Sequence, residues 1–286
     1  MALKGAIIGD IIGSKFEFNN LFTNEKIAPQ DIVVQYKNNT IYCGKIDDKT
    51  PILSTRDFEF TDDTILSLAT KYAIQNDKPF AEVYAKFGKK YRQKGFGGMF
   101  LDWLDTDDKQ PYNSYGNGSA MRVSYIADHY DDLSVVQEMA KKSAECTHNH
   151  PEGIKGAVVT ATCIWFAKHK IANKDGILRY ALTKYPESEY AYSPAIPLDE
   201  MRKYYRWDVT CQGSVPAAIR CIYEANSYSE FIKNVLSLPC DTDTLCAIGG
   251  GIAEELFDNS DDEILTCTDD ILNTYLDDYL LGVLNN

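Results

Sequence analysis

"EFTDDTILSLATKYA", residues 59–73, is the stretch from which the chain is best read. Ile65, Leu68, Ala69, Tyr72 and Ala73 recur at the i, i+3, i+4 spacing that lays apolar side chains along one helix face. Thr61, Asp62 and Asp63 stand just ahead of that face. There, hydroxyl and carboxylate oxygens satisfy the free N–H groups of a helix start and favour its macrodipole. A cap needs one acceptor. This start offers two carboxylates between two threonines, and "PCDTDTLCAIGGG" (239–251) repeats the set with Asp241, Asp243 and Thr244.

Helical spacing continues through most of the chain. Residues 80–94 carry Phe80, Val83, Tyr84 and Phe87 on one face, and 153–170 are apolar almost all round, as in a central buried helix. The pattern also predicts helices at 174–185, 215–226, 229–237, 244–257 and 261–282. Strand alternation is convincing only at 31–45, where Lys37, Asn38 and Asn39 form the turn of a hairpin. Residues 19–58 are the longest stretch without helical period, a length usually functional or flexible. With no linker, low-complexity tract or internal repeat, one mostly helical domain over 1–286 is expected.

Composition narrows the function. The chain has 286 residues, 44% hydrophobic and 25% charged, as in a folded protein. A net charge of −13 argues against a general nucleic-acid or anionic-membrane surface, because phosphates are bound through basic patches. Eight cysteines show no CxxC pair and no zinc spacing, and no apolar run reaches membrane-spanning length. A reduced, cytoplasmic, soluble protein is expected.

The two acidic starts offer the hard oxygens preferred by Mg²⁺, Mn²⁺ or Ca²⁺. If they meet, four carboxylates crowd together, and two divalent ions would balance Asp62, Asp63, Asp241 and Asp243, with Thr61 and Thr244 adding neutral oxygens. Capping alone remains the competing explanation. Glu17, after a short helix in "GDIIGSKFE", reads on spacing as an ordinary surface acid.

Two glycine-rich segments, 94–103 and 111–122, read as loops that either present N–H groups to phosphate or simply join helices. Tyr112 and Tyr115 could stack on a base or ribose. His148 and His150 precede a Pro-opened helix, where they either bind metal or hydrogen-bond their neighbours.

Taken together, "GAIIGDIIGSKFE", "FTDDT", "PYNSYGNGSAMRVS", "THNHPEGIKGA", "QGSVPAAI" and "CDTDTLCAIGGGIAEELF" resemble the ADP-ribosylglycohydrolases, in family order from residue 5 to about residue 257. The resemblance implies an all-α, single-domain fold with a binuclear Mg²⁺ or Mn²⁺ cleft. It implies metal ligation by Thr61, Asp62, Asp63, Asp241, Asp243 and Thr244, with Asp62 and Asp243 essential to catalysis. Glu17 matches the family's mobile acidic residue. Ser114, Tyr115, Gly116 and Asn117 match the ADP-ribose loop, His148 the histidine near the diphosphate, and Gly97 and Gly98 a phosphate-side loop. Pro239–Cys240 departs from the usual Gly-Gly and is expected to tune the approach to Asp241.

The implied activity is hydrolysis at C1″ of an ADP-ribosyl conjugate by a monomer, with ADP-ribosyl-arginine favoured. The leaving-group side is expected from 19–58 and 186–212. The rivals are metal-dependent phosphoester hydrolysis and a non-catalytic ADP-ribose reader.

Overall fold

The computed structural model describes residues 1–18, 27–37, 39–44 and 58–286. Among them are fourteen α-helices and one hairpin, the mostly helical architecture that was expected. The helices are α1 (Ala2–Ser14), α2 (Asp62–Gln75), α3 (Phe80–Lys90), α4 (Gly98–Asp105), α5 (Ser124–His129), α6 (Leu133–Glu145) and α7 (Pro151–Lys168). They continue with α8 (Lys174–Lys184), α9 (Leu198–Tyr204), α10 (Cys211–Tyr223), α11 (Tyr228–Leu236), α12 (Thr242–Leu256), α13 (Thr268–Tyr275) and α14 (Asp278–Asn285). None is long and apolar enough to cross a membrane.

The hairpin falls where alternation predicts it, β1 (Val33–Lys37) pairing antiparallel with β2 (Thr40–Gly44) from Val33↔Gly44 to Lys37↔Thr40. Asn39 takes the left-handed turn conformation that asparagine tolerates (φ 60°). Of the aperiodic stretch 19–58, residues 19–26, 38 and 45–57 lie outside the described residues.

Two expectations are corrected. The helix predicted over 261–282 is broken into a 3-10 turn (Leu265–Cys267), α13 and α14. Asp277 explains the second break: its backbone is extended, and its carboxylate accepts the Leu280 N–H at 2.9 Å, capping a new helix. The segment 94–103, read as a loop, ends in α4, whose Phe100, Trp103 and Leu104 are buried.

The core that positions the site is the contact of α1 with α12. Gly5, Gly9 and Gly13 recur every fourth residue along α1. A Cβ on Gly9 would lie 2.2 Å from the Cys246 carbonyl oxygen, and one on Gly13 would lie 2.5 Å from Asp243 Cα. The two backbones therefore touch, with Ile7, Ile8, Ile11, Leu245 and Ile248 buried around them. Each such aliphatic side chain contributes roughly 1.5–3 kcal/mol on burial. The Thr242 hydroxyl donates to the Gly13 carbonyl at 2.8 Å, fixing the first turn of α12 beside the end of α1.

Candidate functional site

The two acidic helix starts meet. The Thr244 hydroxyl at the start of α12 lies 3.3 Å from Asp63 Oδ2 at the start of α2. One carboxylate oxygen each from Asp10, Asp63 and Asp243 lie within 4.8 Å of one another, and so do oxygens of Glu17, Asp241 and Asp243. Asp243 belongs to both groups. Capping does not account for this second start: Asp241 precedes α12 without a side-chain capping bond.

Asp10 is the residue the sequence reading passed over. It is fully buried on α1 and holds the start of α2, accepting the Thr61 N–H (2.9 Å), the Thr61 hydroxyl (2.7 Å), the Thr64 N–H (3.1 Å) and the Thr64 hydroxyl. Its signal was a lone carboxylate within the apolar run 6–12. Thr61 thus acts as a buried cap whose hydroxyl is engaged by Asp10.

Without cations these acids are strained electrostatically. Burial pushes the carboxyls of Asp62, Asp63 and Asp243 well above the usual range. Neighbouring carboxylates add to this: Asp10 and Asp241 for Asp62, Asp10 and Asp62 for Asp63, Asp241 and Asp63 for Asp243. Asp10 and Asp241 are raised by burial too, against hydrogen bonds from Thr61 and Thr64 to the first and from Asp243 and Asn117 to the second. Asp63 Oδ1 is buried with no hydrogen-bond partner among the described residues. An orphaned carboxylate oxygen inside an all-oxygen donor set fits hard divalent cations, and the two overlapping groups offer places for two, with the predicted ligand Asp62 lining the cavity but belonging to neither group.

A cavity of about 490 Å³ opens beside the acids. Its wall includes Glu17, Asp62, Asp63, Asp241, Asp243 and Thr244, and also Gly97, Gly98, Ser114, Tyr115, Gly116, Asn117 and His148. Among the predicted site residues only Thr61 is absent from that wall, being turned to Asp10.

The loop at 114–117 is pinned to the strand-like segment before α10. The Asn117 N–H donates to the Val209 carbonyl (2.8 Å), and the Cys211 N–H donates to the Tyr115 carbonyl (2.9 Å). The Asn117 amide then donates to Asp241 Oδ2 at 2.8 Å, joining the loop to the acids. At Gly97 and Gly98 an added Cβ would meet nothing within 4 Å, so the N-terminus of α4 faces open space. Gly95 has φ +91° and packs its α-carbon toward Asp62, where a side chain would strain the backbone.

His148 and His150 part company. His150 caps α7, its Nδ1 accepting the Glu152 N–H at 3.1 Å. His148 is buried, with Nδ1 2.8 Å from the Thr147 hydroxyl, and burial together with the Arg122 guanidinium drives its pKa well below the ordinary imidazole value. Arg122 itself is fully buried over the Tyr84 ring, donating to the Ser143 carbonyl and to Thr147. Neither histidine joins an acidic group among the described residues. At Pro239–Cys240, the thiol points inward to the Val235 carbonyl (3.5 Å), anchoring the approach to Asp241 on the end of α11.

The chain matches the family model described as ADP-ribosylglycohydrolase over residues 1–253. It is 24% identical to ADP-ribosylhydrolase ARH3 of Mus musculus, covering 88% of this chain and 81% of that one. It is also 24% identical to a putative ADP-ribosyl glycohydrolase of Acanthamoeba polyphaga mimivirus, covering 93% and 90%. Among solved structures, an ADP-ribosylglycohydrolase-related protein complex superposes with a TM-score of 0.60 over 99% of this chain and 98% of the other, at 16% identity, a likeness of fold.

Proposed function

Because the chain belongs to the ADP-ribosylglycohydrolase family, we propose that it is a divalent-metal-dependent hydrolase that cleaves the C1″ bond of ADP-ribosylated acceptors and releases ADP-ribose. The observation that supports this most is the convergence of Asp63 and Asp243 from two distant helix starts. Asp62, Asp63, Asp241, Asp243 and Thr244 would hold two Mg²⁺ or Mn²⁺ ions, with Glu17 beside Asp241 and Asp243 and Thr61 supporting from behind. Ions bound there would supply Lewis acidity and positive charge beside the sugar.

The remaining residues bind, orient and move a proton. In the tautomer whose Nδ1 accepts from the Thr147 hydroxyl, His148 keeps its Nε2 hydrogen for a phosphate oxygen of the ligand. The open N-terminus of α4 at Gly97 and Gly98 offers its N–H groups to the same diphosphate. Ser114, Gly116 and Asn117 shape the backbone around the sugar, and Tyr115 lies flat against the base. Glu17 gives a proton to the departing group and takes one from the incoming water. Positive charge developing at C1″, as in glycoside hydrolysis, is met by the Glu17 carboxylate once its proton has gone to the departing group.

We favour ADP-ribosyl-arginine as the substrate, since a guanidinium leaving group carries positive charge toward Glu17 and Asp241. We take the active species to be a monomer. Eight free cysteines, six of them buried, suit the reducing cytoplasm.

The test is a panel of ADP-ribosyl conjugates on arginine, serine, acyl and phosphate acceptors, incubated with Mg²⁺, Mn²⁺ or chelator. Free ADP-ribose released only with metal, fastest from the arginine conjugate, is expected. AMP or phosphate as product identifies a phosphoesterase, and ADP-ribose binding without turnover identifies a reader. A faster serine conjugate would revise the acceptor alone.

A further inference from the structure

Two aromatic side chains stand at the mouth of the cleft, outside the chemistry described so far. Phe18 and Trp207 are stacked, ring centroids 5.4 Å apart and planes 17° from parallel, although 66% and 44% of their surfaces are exposed. An exposed aromatic pair that finds one another across two chain segments has a geometric preference to satisfy and ties those segments together. Phe18 directly follows Glu17, and Trp207 lines the cavity.

The Trp207 side of the pair is firmly anchored. Asp208 accepts the Thr210 N–H at 2.8 Å, Val209 accepts the Asn117 N–H, and Gly116 bridges to Thr210. Asn117 in turn donates to Asp241. The indole is therefore mounted on the wall that also holds Asp241. The Phe18 side carries Glu17, whose carboxylate lies with those of Asp241 and Asp243.

We propose that Trp207 is a positioning residue for the reaction: by stacking on Phe18 it seats the Glu17 carboxylate against Asp241 and Asp243. The inference rests on the function proposed above for what Glu17 does there, but the seating itself is a matter of geometry. It also explains why an indole sits on a segment that the family motifs do not cover. That segment meets the arm carrying Glu17 through the Phe18–Trp207 stack.

The test compares wild type, W207A, W207F, F18A, the F18A/W207A double variant and E17Q. Steady-state release of ADP-ribose is measured, together with calorimetric Mn²⁺ titration without substrate. Each alanine variant should lose about two- to tenfold in kcat with KM nearly unchanged. The double variant should be no worse than either single one, because both remove the same contact, and W207F should recover most of the loss. Mn²⁺ affinity should fall in W207A and E17Q alike. Wild-type kcat in W207A, losses that multiply in the double variant, or an effect on KM alone would overturn the proposal. If wild type releases no ADP-ribose, the proposed function fails, and the titration decides the seating alone. Mn²⁺ affinity lowered in W207A as in E17Q sustains it; affinity unchanged in W207A overturns it.

Discussion

Thr244 and Asp63, 181 residues apart in sequence, share a hydrogen bond of 3.3 Å between the starts of two helices. That contact joins two acidic helix starts into one buried cluster of carboxyl groups. Burying carboxylates beside one another costs stability, and a chain keeps such an arrangement only where something offsets it. Under the proposed function, divalent cations are that offset.

Asp243→Asn and Asp62→Ala remove proposed ligands and should leave the helices in place. Turnover should fall by more than about a hundredfold, beyond the loss typical of a residue that merely supports a ligand. Metal-free D243N should melt higher than metal-free wild type by about 2 °C or more, because one repelling charge is gone. Saturating Mn²⁺ should reverse that order. Calorimetric melting with and without Mn²⁺ checks both.

Asp10→Asn separates support from ligation. An amide cannot accept all four hydrogen bonds that Asp10 takes from Thr61 and Thr64. Leaving a buried donor unsatisfied costs about 1–3 kcal/mol. Unlike D243N, D10N should melt lower than wild type in the absence of metal. Its Mn²⁺ affinity should drop by about 10–100-fold, as measured by titration.

The pH dependence follows from the raised carboxyls. Asp62, Asp63 and Asp243 titrate above the unfolded value of about 3.9. Between that value and the raised ones the folded chain binds more protons than the unfolded chain, so metal-free stability falls as pH rises through this window. His148 works oppositely: its lowered pKa makes stability fall as pH drops below about 6.5. The melting difference between metal-free D243N and wild type cancels the histidine and should widen from pH 5 to pH 7. Metal affinity should rise over the same range, since binding displaces protons.

Gly9→Ala tests the backbone contact that brings α1 and α12 together. With the Cys246 carbonyl 2.2 Å from the added Cβ, the helices must part. Overpacking of this kind costs about 1–3 kcal/mol, and Mn²⁺ affinity should fall because Asp10 and Asp243 flank the contact. Gly282→Ala is the contrast: nothing lies within 4 Å of its Cβ in α14, and it should stabilise by about 0.4–1 kcal/mol. Thermal unfolding of the two variants side by side distinguishes them.

Much of this was legible from residue order because the relevant signals are local. Asp62, Asp63, Asp241 and Asp243 stand at helix starts, and a 3.6-residue period announces those starts. The loop from Ser114 to Asn117 and His148 were recognisable as motifs, and Glu17 acquired meaning only through the family resemblance. What was missed depends on neighbours distant in sequence. Asp10 looked like an interruption of an apolar run until Thr61 and Thr64 were seen to surround it. Helix α6 was passed over although its buried Val136, Ala140, Ser143 and Ala144 recur at helical spacing. The glycines of α1 became packing residues only when α12 lay against them, and Trp207 drew its place from Phe18, on the opposite side of the cleft.

The central claim is that Asp62, Asp63, Asp241 and Asp243 jointly hold two divalent cations. Anomalous diffraction from crystals grown with Mn²⁺, recorded at the manganese edge, tests it most directly. Two strong peaks among these four carboxylates, with Asp63 Oδ1 in contact with one of them, are predicted. No peak there, or manganese found only elsewhere on the surface, would contradict it.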